Sequence, residues 1–377
     1  MSKEWNLKET GRPSLRRRQD PSYSDTHNTG AFESSSGSSD ESVALSASSL
    51  SSFSSSAESS ESVAQMLAPS LSSVNFPHRP IHNISKRNVI WSKNWHNLVT
   101  DCPSVPMSYY TAATDGAKRI PLQEFVSYFT GCGGVLWLRT GEGDSYNDVS
   151  TFIRHVAPTL SKRFSIISSD GVRSVPSQVL GAAELLNNPL LDAWYTQNYD
   201  GSIQHPKLVP VPIGFDFHTN WKGLWSSSVE VNLNQMKELR ENNYVRSSIL
   251  LIPPWSVGSH MERRRAANMV SCIPHKRKEH MGIDRLWEMY EHYKFALSPF
   301  GRGLDCHRTW ELLFFGVVPI VKTSGMDPLY KGLPVVIVND WDDLCVPGFL
   351  DAQWEKFEPM LPVPSEVFTL EHWVGQN

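Results

Sequence analysis

Apolar and polar positions fall into two blocks along the chain, each a series of short apolar runs separated by amphipathic stretches. In the first block, Gly134-Val-Leu-Trp-Leu138 is an apolar run that gives way to the polar Arg139-Thr-Gly-Glu-Gly143. A short apolar run bounded by turn residues predicts a buried strand. Apolar residues then recur at Val149, Phe152, Ile153, Val156 and Leu160, a spacing that predicts one buried helix face over 148–160. Phe164-Ser-Ile-Ile167 predicts the next strand, breaking at Ser168-Ser-Asp-Gly171. A helix is expected over 180–186 and a short apolar-aromatic element over 192–197. Leu208-Val-Pro-Val-Pro-Ile213 is extended, and its prolines place it at a sheet edge or strand end.

Residues 219–245 carry few strand signals and read as the connection between blocks. The second block predicts strands at 248–252, 294–298, 317–321 and 335–338. Helices are predicted at 262–270, 285–293 and from 306 to Gly316. Strands alternating with helices in both halves predict an α/β protein of two similar halves with a cleft between them. The expected boundaries are 76–240 and 241–377, with ligands beyond the carboxyl ends of the strands. An amphipathic stretch over 349–357 is expected to pack back across the domain junction.

Composition changes this picture mainly at the start. Between Ser34 and Ser62 more than half the positions are serine, too little apolar area to offset ordering, so residues 1–75 are expected to be a disordered Ser-rich tail. A net charge of −4 over 377 residues speaks against a nucleic-acid binder, which concentrates Lys and Arg on one face. No apolar run is long enough for a spanning helix, and the polar start MSKEWNLKET lacks a signal-like core, so the chain reads as soluble. The five cysteines are far apart with no CxxC pair. That reads as isolated thiols and suits a reducing compartment.

The most informative chemistry lies between Lys294 and Lys322. Pro299-Phe-Gly-Arg-Gly-Leu-Asp305 is a glycine-containing loop between a strand and a helix, with Asp305 as the expected N-cap and Gly316 as the C′ glycine. Gly301 and Gly303 would let the backbone approach a ligand, and the helix N-terminus favours an anion. Arg302 and Arg308 would supply most of the phosphate affinity, with His307 as a further donor. Arg308 and Glu311 are three apart and share a helix face. A cation for diphosphate and a carboxylate for vicinal ribose hydroxyls suit a nucleotide-sugar site; an intrahelical salt bridge is the structural alternative. Trp310, Leu312, Leu313, Phe314 and Phe315 make the helix apolar nearly all round, and a buried helix does not carry charge without cause.

Arg308-Thr-Trp-Glu311-Leu-Leu-Phe-Phe-Gly316-Val-Val-Pro319-Ile-Val321 resembles the R-x-x-E-A-L-x-x-G-x-x-P-V-V segment of exostosin-like glycosyltransferases, including the ribitol xylosyltransferase C-terminal region. Leu312 stands where that pattern has Ala. Met326 to Val338 and Val209 to His218 are similar as well, so the resemblance covers about 130–345. It implies a GT-B architecture, two Rossmann-like domains facing a cleft, and transfer of a sugar from a nucleoside-diphosphate donor, such as a UDP-sugar, to a hydroxyl of a glycan or glycoconjugate. It further implies no metal or other cofactor, and a Golgi or other endomembrane location. Carried over, Glu311 would bind the ribose and Arg308 the diphosphate, with Ser298, Gly301, Arg302 and Gly303 lining the phosphate loop. Arg263, Arg264 and Arg265 are further phosphate candidates, Arg264 being the one assigned to the donor. Asp340-Trp-Asp-Asp343 lacks the context of a metal-binding DxD and reads as a turn and helix start.

If transfer inverts the anomeric centre, a base must come from the first domain. Asp170 and Asp216 are the favoured candidates, ahead of His218, Glu142 and Asp144. Competing readings are a non-catalytic nucleotide- or sugar-binding protein of the same fold, and a phospho-regulated scaffold acting through the Ser-rich tail. Trp91, Trp95, Trp137, Trp194, Trp221, Trp225 and Trp255 could include sugar-stacking platforms, although core packing explains most tryptophans of a domain this size.

Overall fold

A computed structural model describes residues 84–100, 102, 120–141, 147–217, 229–241, 246, 248–255, 260–277, 281–290 and 292–374, except for the side chains of 269, 270, 276, 277 and 284. The predicted tail lies outside these residues. The first lobe carries β1 (Gly134–Gly141), β2 (Phe164–Gly171), β3 (Leu191–Thr196) and β4 (Leu208–Pro210). They form a parallel sheet in the order β1-β2-β3-β4. Its helices are α1 (Leu122–Phe129), α2 (Asp148–His155) and α3 (Ala182–Leu186). The proline-containing β4 is an edge strand, where the missing N–H of Pro210 is tolerated. Helix α2 is shorter than its apolar spacing predicts. Pro158 lies in a following 3-10 turn, Ala157–Thr159, and a proline cannot continue the helical ladder.

Strand β2 does not break at Ser168. It runs on to Gly171 beside β1, with Ser169 opposite Arg139. Serines can be buried there because each hydroxyl is bonded. Trp194 Nε1 donates to Ser168 Oγ at 2.8 Å, and Trp137 Nε1 donates to Ser169 Oγ at 2.7 Å. Ser169 Oγ in turn donates to the Ser92 carbonyl at 2.6 Å.

The segment read as a connection contains a helix, α4 (Val229–Glu241), which buries Leu233 and Met236. The second lobe follows with β5 (Ser248–Ile252), α5 (Met261–Met269), β6 (His275–Arg277), α6 (Ile283–Tyr290) and β7 (Tyr293–Leu297). It continues with α7 (His307–Phe314), β8 (Val318–Lys322), β9 (Val336–Val338), α8 (Phe349–Phe357) and α9 (Leu370–Val374). Its five strands are parallel in the order β6-β5-β7-β8-β9. Strand β6, His-Lys-Arg, has no apolar pattern to announce it and sits at the edge, where charge is tolerated.

Alternate residues of a strand face opposite sides, and the core is divided accordingly. Leu250, Ile252, Phe295, Leu297, Val318 and Ile320 fill one side of the second sheet with α8. Leu251, Ala296 and Val321 face the other side, in a core that continues into the first lobe through Trp310, Phe314, Phe215 and Trp194. Both lobes belong to one compact unit. The element that crosses between them is not 349–357, whose Trp354 packs on Phe295 within the second lobe. It is the final segment instead. Phe368 stacks on Phe215 and meets Phe314 edge-on, and Thr369 bridges Val89.

The expectation of isolated thiols is overturned. Cys102 is bonded to Cys132 and Cys272 to Cys345, leaving Cys306 free. These partners are 30 and 73 residues apart in sequence, and the fold brings their Cα atoms to 5.6 and 5.7 Å, within the span of a disulfide. Sequence spacing carries no trace of such pairings.

Candidate functional site

The two sheets differ in where their connections turn. In the second, β5 has β6 on one side and β7 on the other, so the chain reverses direction across the sheet between β5 and β7. Outside the carboxyl ends of such a pair lies the crevice where open α/β sheets hold ligands. Pro253, Pro254 and Trp255 follow β5 there, and the loop Ser298 to Asp305 follows β7.

Helix α7 begins at this crevice. Arg308 does not close on Glu311 as a salt bridge would require. Its guanidinium donates to the Pro254 carbonyl at 3.3 Å and to Cys306 Sγ at 3.7 Å, and lies 5.3 Å from the centroid of the Trp255 ring. Its Nε is buried without a hydrogen-bond partner among the described residues. Burial acts to lower the Arg308 pKa; Cys306, Tyr290 and Glu311 reverse this and hold it above its ordinary value. The side chain is a fixed, half-buried cation.

Glu311, one turn along, is buried. Its carboxyl lies beside Asp216 of the first lobe and the Trp287 indole of α6. Burial, then the charge of Asp216, push its pKa up to about 7, against the pull of Arg308 and of the Asp216 backbone N–H. The ribose-binding candidate of the second lobe and a base candidate of the first thus meet at one point, with Arg308 beside them.

Asp216 is held there by its own loop. Gly214 has φ +69°, and a Cβ on it would lie 2.2 Å from the Ile90 carbonyl oxygen, so only glycine fits. The neighbouring Phe215 is buried against Phe314 at 5.3 Å between centroids. His307 Nδ1 lies 2.7 Å from the Gly214 carbonyl, so this side chain fastens α7 to the loop.

Asp305 is not the N-cap of α7; that position is Cys306, which makes no side-chain cap. The buried Asp305 carboxylate accepts from the Ile213 N–H at 2.7 Å, the Cys306 N–H at 2.8 Å and Trp310 Nε1 at 2.9 Å. Burial raises its pKa even so. Its N–H donates to Asn198 Oδ1 at 3.0 Å, and Asn198 Nδ2 donates to the Gly171 carbonyl at 2.9 Å. Asn198 has φ 55°, which asparagine tolerates. These bonds stitch the glycine loop to the strand ends of the first lobe.

The glycines make room for side chains. A Cβ at Gly301 would lie 2.5 Å from Arg263 Nη2, and one at Gly303 would lie 2.7 Å from Asn198 Oδ1. Of the three successive arginines, it is Arg263 that faces this loop; Arg264 and Arg265 are exposed. Burial lowers the Arg263 pKa, while Cys306 opposes the shift. Ser298 is buried, its hydroxyl 2.9 Å from that of Thr309, and ties β7 to α7. Arg302 is exposed at the loop tip.

Asp170 sits apart from this cluster. It has φ 54°, and its carboxylate lies 3.0 Å from Arg139 Nε and 3.5 Å from Lys93 Nζ. Its carboxylate is thus engaged by two cations of its own lobe. Glu142, Asp144 and His218 lie outside the described residues. Asp340 caps the 3-10 turn Trp341–Cys345 in a capping box with Asp343, the turn start expected of that acidic stretch. Among the described residues no group of His, Cys, Asp and Glu is arranged to hold a metal ion, and no helix is long and apolar enough to cross a membrane.

Sequence reasoning found Arg308, Glu311 and Asp216 but not Asn198, Trp287, Tyr290 or the interlobe role of Asp305. A lone asparagine after an apolar-aromatic run carries no signal of its own. No protein-family model matches the chain, and no curated protein matches it either.

Proposed function

We propose that this protein is a glycosyltransferase of the exostosin-like kind with a GT-B arrangement, transferring a sugar from a nucleoside diphosphate, such as a UDP-sugar, to a hydroxyl of a glycan or glycoconjugate. The observation that carries this reading is the meeting of Arg308 and Glu311, at the reversal point of the second sheet, with Asp216 of the first lobe. Arg308 and Arg263 would take the diphosphate, and Trp255 would present an aromatic face beside it. Glu311, ionised, would accept from the ribose hydroxyls.

In transfer, the acceptor oxygen bonds to the anomeric carbon as the bond to the diphosphate breaks. Negative charge develops on the leaving group and is stabilised by the two guanidinium groups. Asp216 is the residue suited to take the acceptor proton. Its carboxylate reaches the cluster from the first lobe, beside Glu311. Asp170 would act as a structural anion. No metal or other cofactor enters this scheme.

The test is a thermal-shift and calorimetric titration of the full chain with UDP and GDP, because a ligand that binds only the folded state raises Tm by mass action. Saturable binding that Arg308→Ala or Glu311→Ala weakens sharply supports the donor site. Binding without hydrolysis or transfer across a panel of donors and acceptors would make the protein a nucleotide-binding relative without activity. The absence of any nucleotide binding would sink both readings.

A further inference from the structure

Helix α5 is poorly anchored for a helix that carries a site residue. A surface helix normally buries an apolar stripe. In α5, Met261 is 59% exposed, Arg264 and Arg265 face solvent, and among its described side chains only Glu262 and Ala266 are buried. Besides the buried Ala266, two fastenings among the described residues tie it to one short turn, Trp341–Cys345. At its start, Glu262 accepts from Trp341 Nε1 at 3.2 Å and pairs with Lys322 at 3.4 Å. Past its end, the 3-10 turn Val270–Cys272 is bonded through Cys272 to Cys345. Arg263, next to Glu262, is the side chain that Gly301 accommodates.

We propose that the Cys272–Cys345 bond is the tether that keeps α5, and with it Arg263, against the glycine loop, and that this chain is built to mature in an oxidising compartment. The part concerning nucleotide rests on the donor-site reading above; the tether and the compartment do not. Each bond forms when two thiols lose two protons and two electrons, the electrons passing to a thiol–disulfide oxidant of the compartment. Such oxidants maintain bonds in the secretory lumen or a periplasm, whereas the cytosol keeps thiols reduced. The second bond, Cys102–Cys132, lies in the other lobe and points independently to the same setting. Cys306, beside Arg308, remains the free thiol.

The experiment uses the full chain produced in a secretory host. Free thiols are alkylated under denaturing conditions without reductant, and the peptides are mapped. The expected result is one alkylated cysteine, Cys306, with cross-linked peptides joining 102 to 132 and 272 to 345. Five alkylated cysteines, or a bond involving Cys306, would overturn the proposal. Hydrogen exchange is then compared over 261–269 and over β7, before and after mild dithiothreitol, and in the double variant Cys272→Ser with Cys345→Ser. Faster exchange over 261–269 but not over β7 is expected, and unchanged exchange over 261–269 would overturn the tether. UDP affinity should weaken about tenfold on reduction, the loss expected for one charge-assisted hydrogen bond; unchanged affinity in a protein that binds UDP overturns the positioning of Arg263. Failure of the untreated protein to bind UDP counts against the donor site alone, and exchange then decides the tether.

Discussion

Both lobes are parallel sheets whose strand ends meet at one seam, yet their polar residues are used in opposite ways. In the first sheet the strands follow one another in order and no reversal opens a crevice. The charges at its strand ends pair with one another: Lys93, Arg139 and Asp170, with side chains 8%, 13% and 10% exposed, form an ion cluster. In the second sheet the order reverses beside β5, and the charges there are left in tension. Arg308 meets a carbonyl and a sulfur rather than a carboxylate, and Glu311 is pressed against another carboxylate. Paired charge is structure; charge that its own fold holds at a cost is the better marker of a site.

The sharpest way to break this contrast is to unpair the first lobe. Asp170→Asn keeps a residue that tolerates φ 54° but strands two nearly buried cations, and the expected loss is about 3–5 kcal/mol in denaturant unfolding. The refolded variant should still bind UDP with the wild-type affinity, measured below its unfolding midpoint. Loss of binding with stability intact would place Asp170 in the site after all.

The second lobe should respond the other way. The folded-state pKa of Glu311 is raised, so the native state holds this proton more tightly than the unfolded chain does. The benefit is complete below the ordinary value of 4.5 and is lost as pH rises to about 7. Glu311→Gln, which never ionises, should therefore match wild type near pH 4. It should be more stable above pH 7, by up to about 3 kcal/mol at 1.4 kcal/mol per pKa unit. The same change should cost nucleotide affinity. Wild-type UDP binding should strengthen between about pH 6 and 8 as Glu311 ionises, and the variant should lack that part of the slope. A destabilised Gln variant would remove the tension argument.

Smaller effects separate the loop residues. Ser298→Ala removes one of two paired buried hydroxyls and should cost about 1 kcal/mol, seen in the unfolding midpoint. Gly301→Ala meets only the far end of the Arg263 side chain, so it should shift UDP affinity more than stability. Arg264→Ala, on the exposed face of α5, should stay within about 0.5 kcal/mol of wild type and leave UDP affinity unchanged; a large loss would return Arg264 to the donor site in place of Arg263.

The apolar runs determined most of the strands and helices of both lobes, because burial of a periodic face is a local property that consecutive residues carry. The sequence also singled out Arg308 and Glu311, since charge on a helix apolar nearly all round is itself an anomaly. Tertiary structure decided the rest. Ser168 and Ser169 became strand because partners on other strands and in the segment before β1 bond their hydroxyls. Asp216, and not Asp170, reached Glu311 because Gly214 and Phe215 dock the loop on Ile90 and Phe314. The cysteines paired across 30 and 73 residues of chain. In each case the deciding partner is distant in sequence, and a residue's own type says only that it needs a partner, not which one the fold will bring.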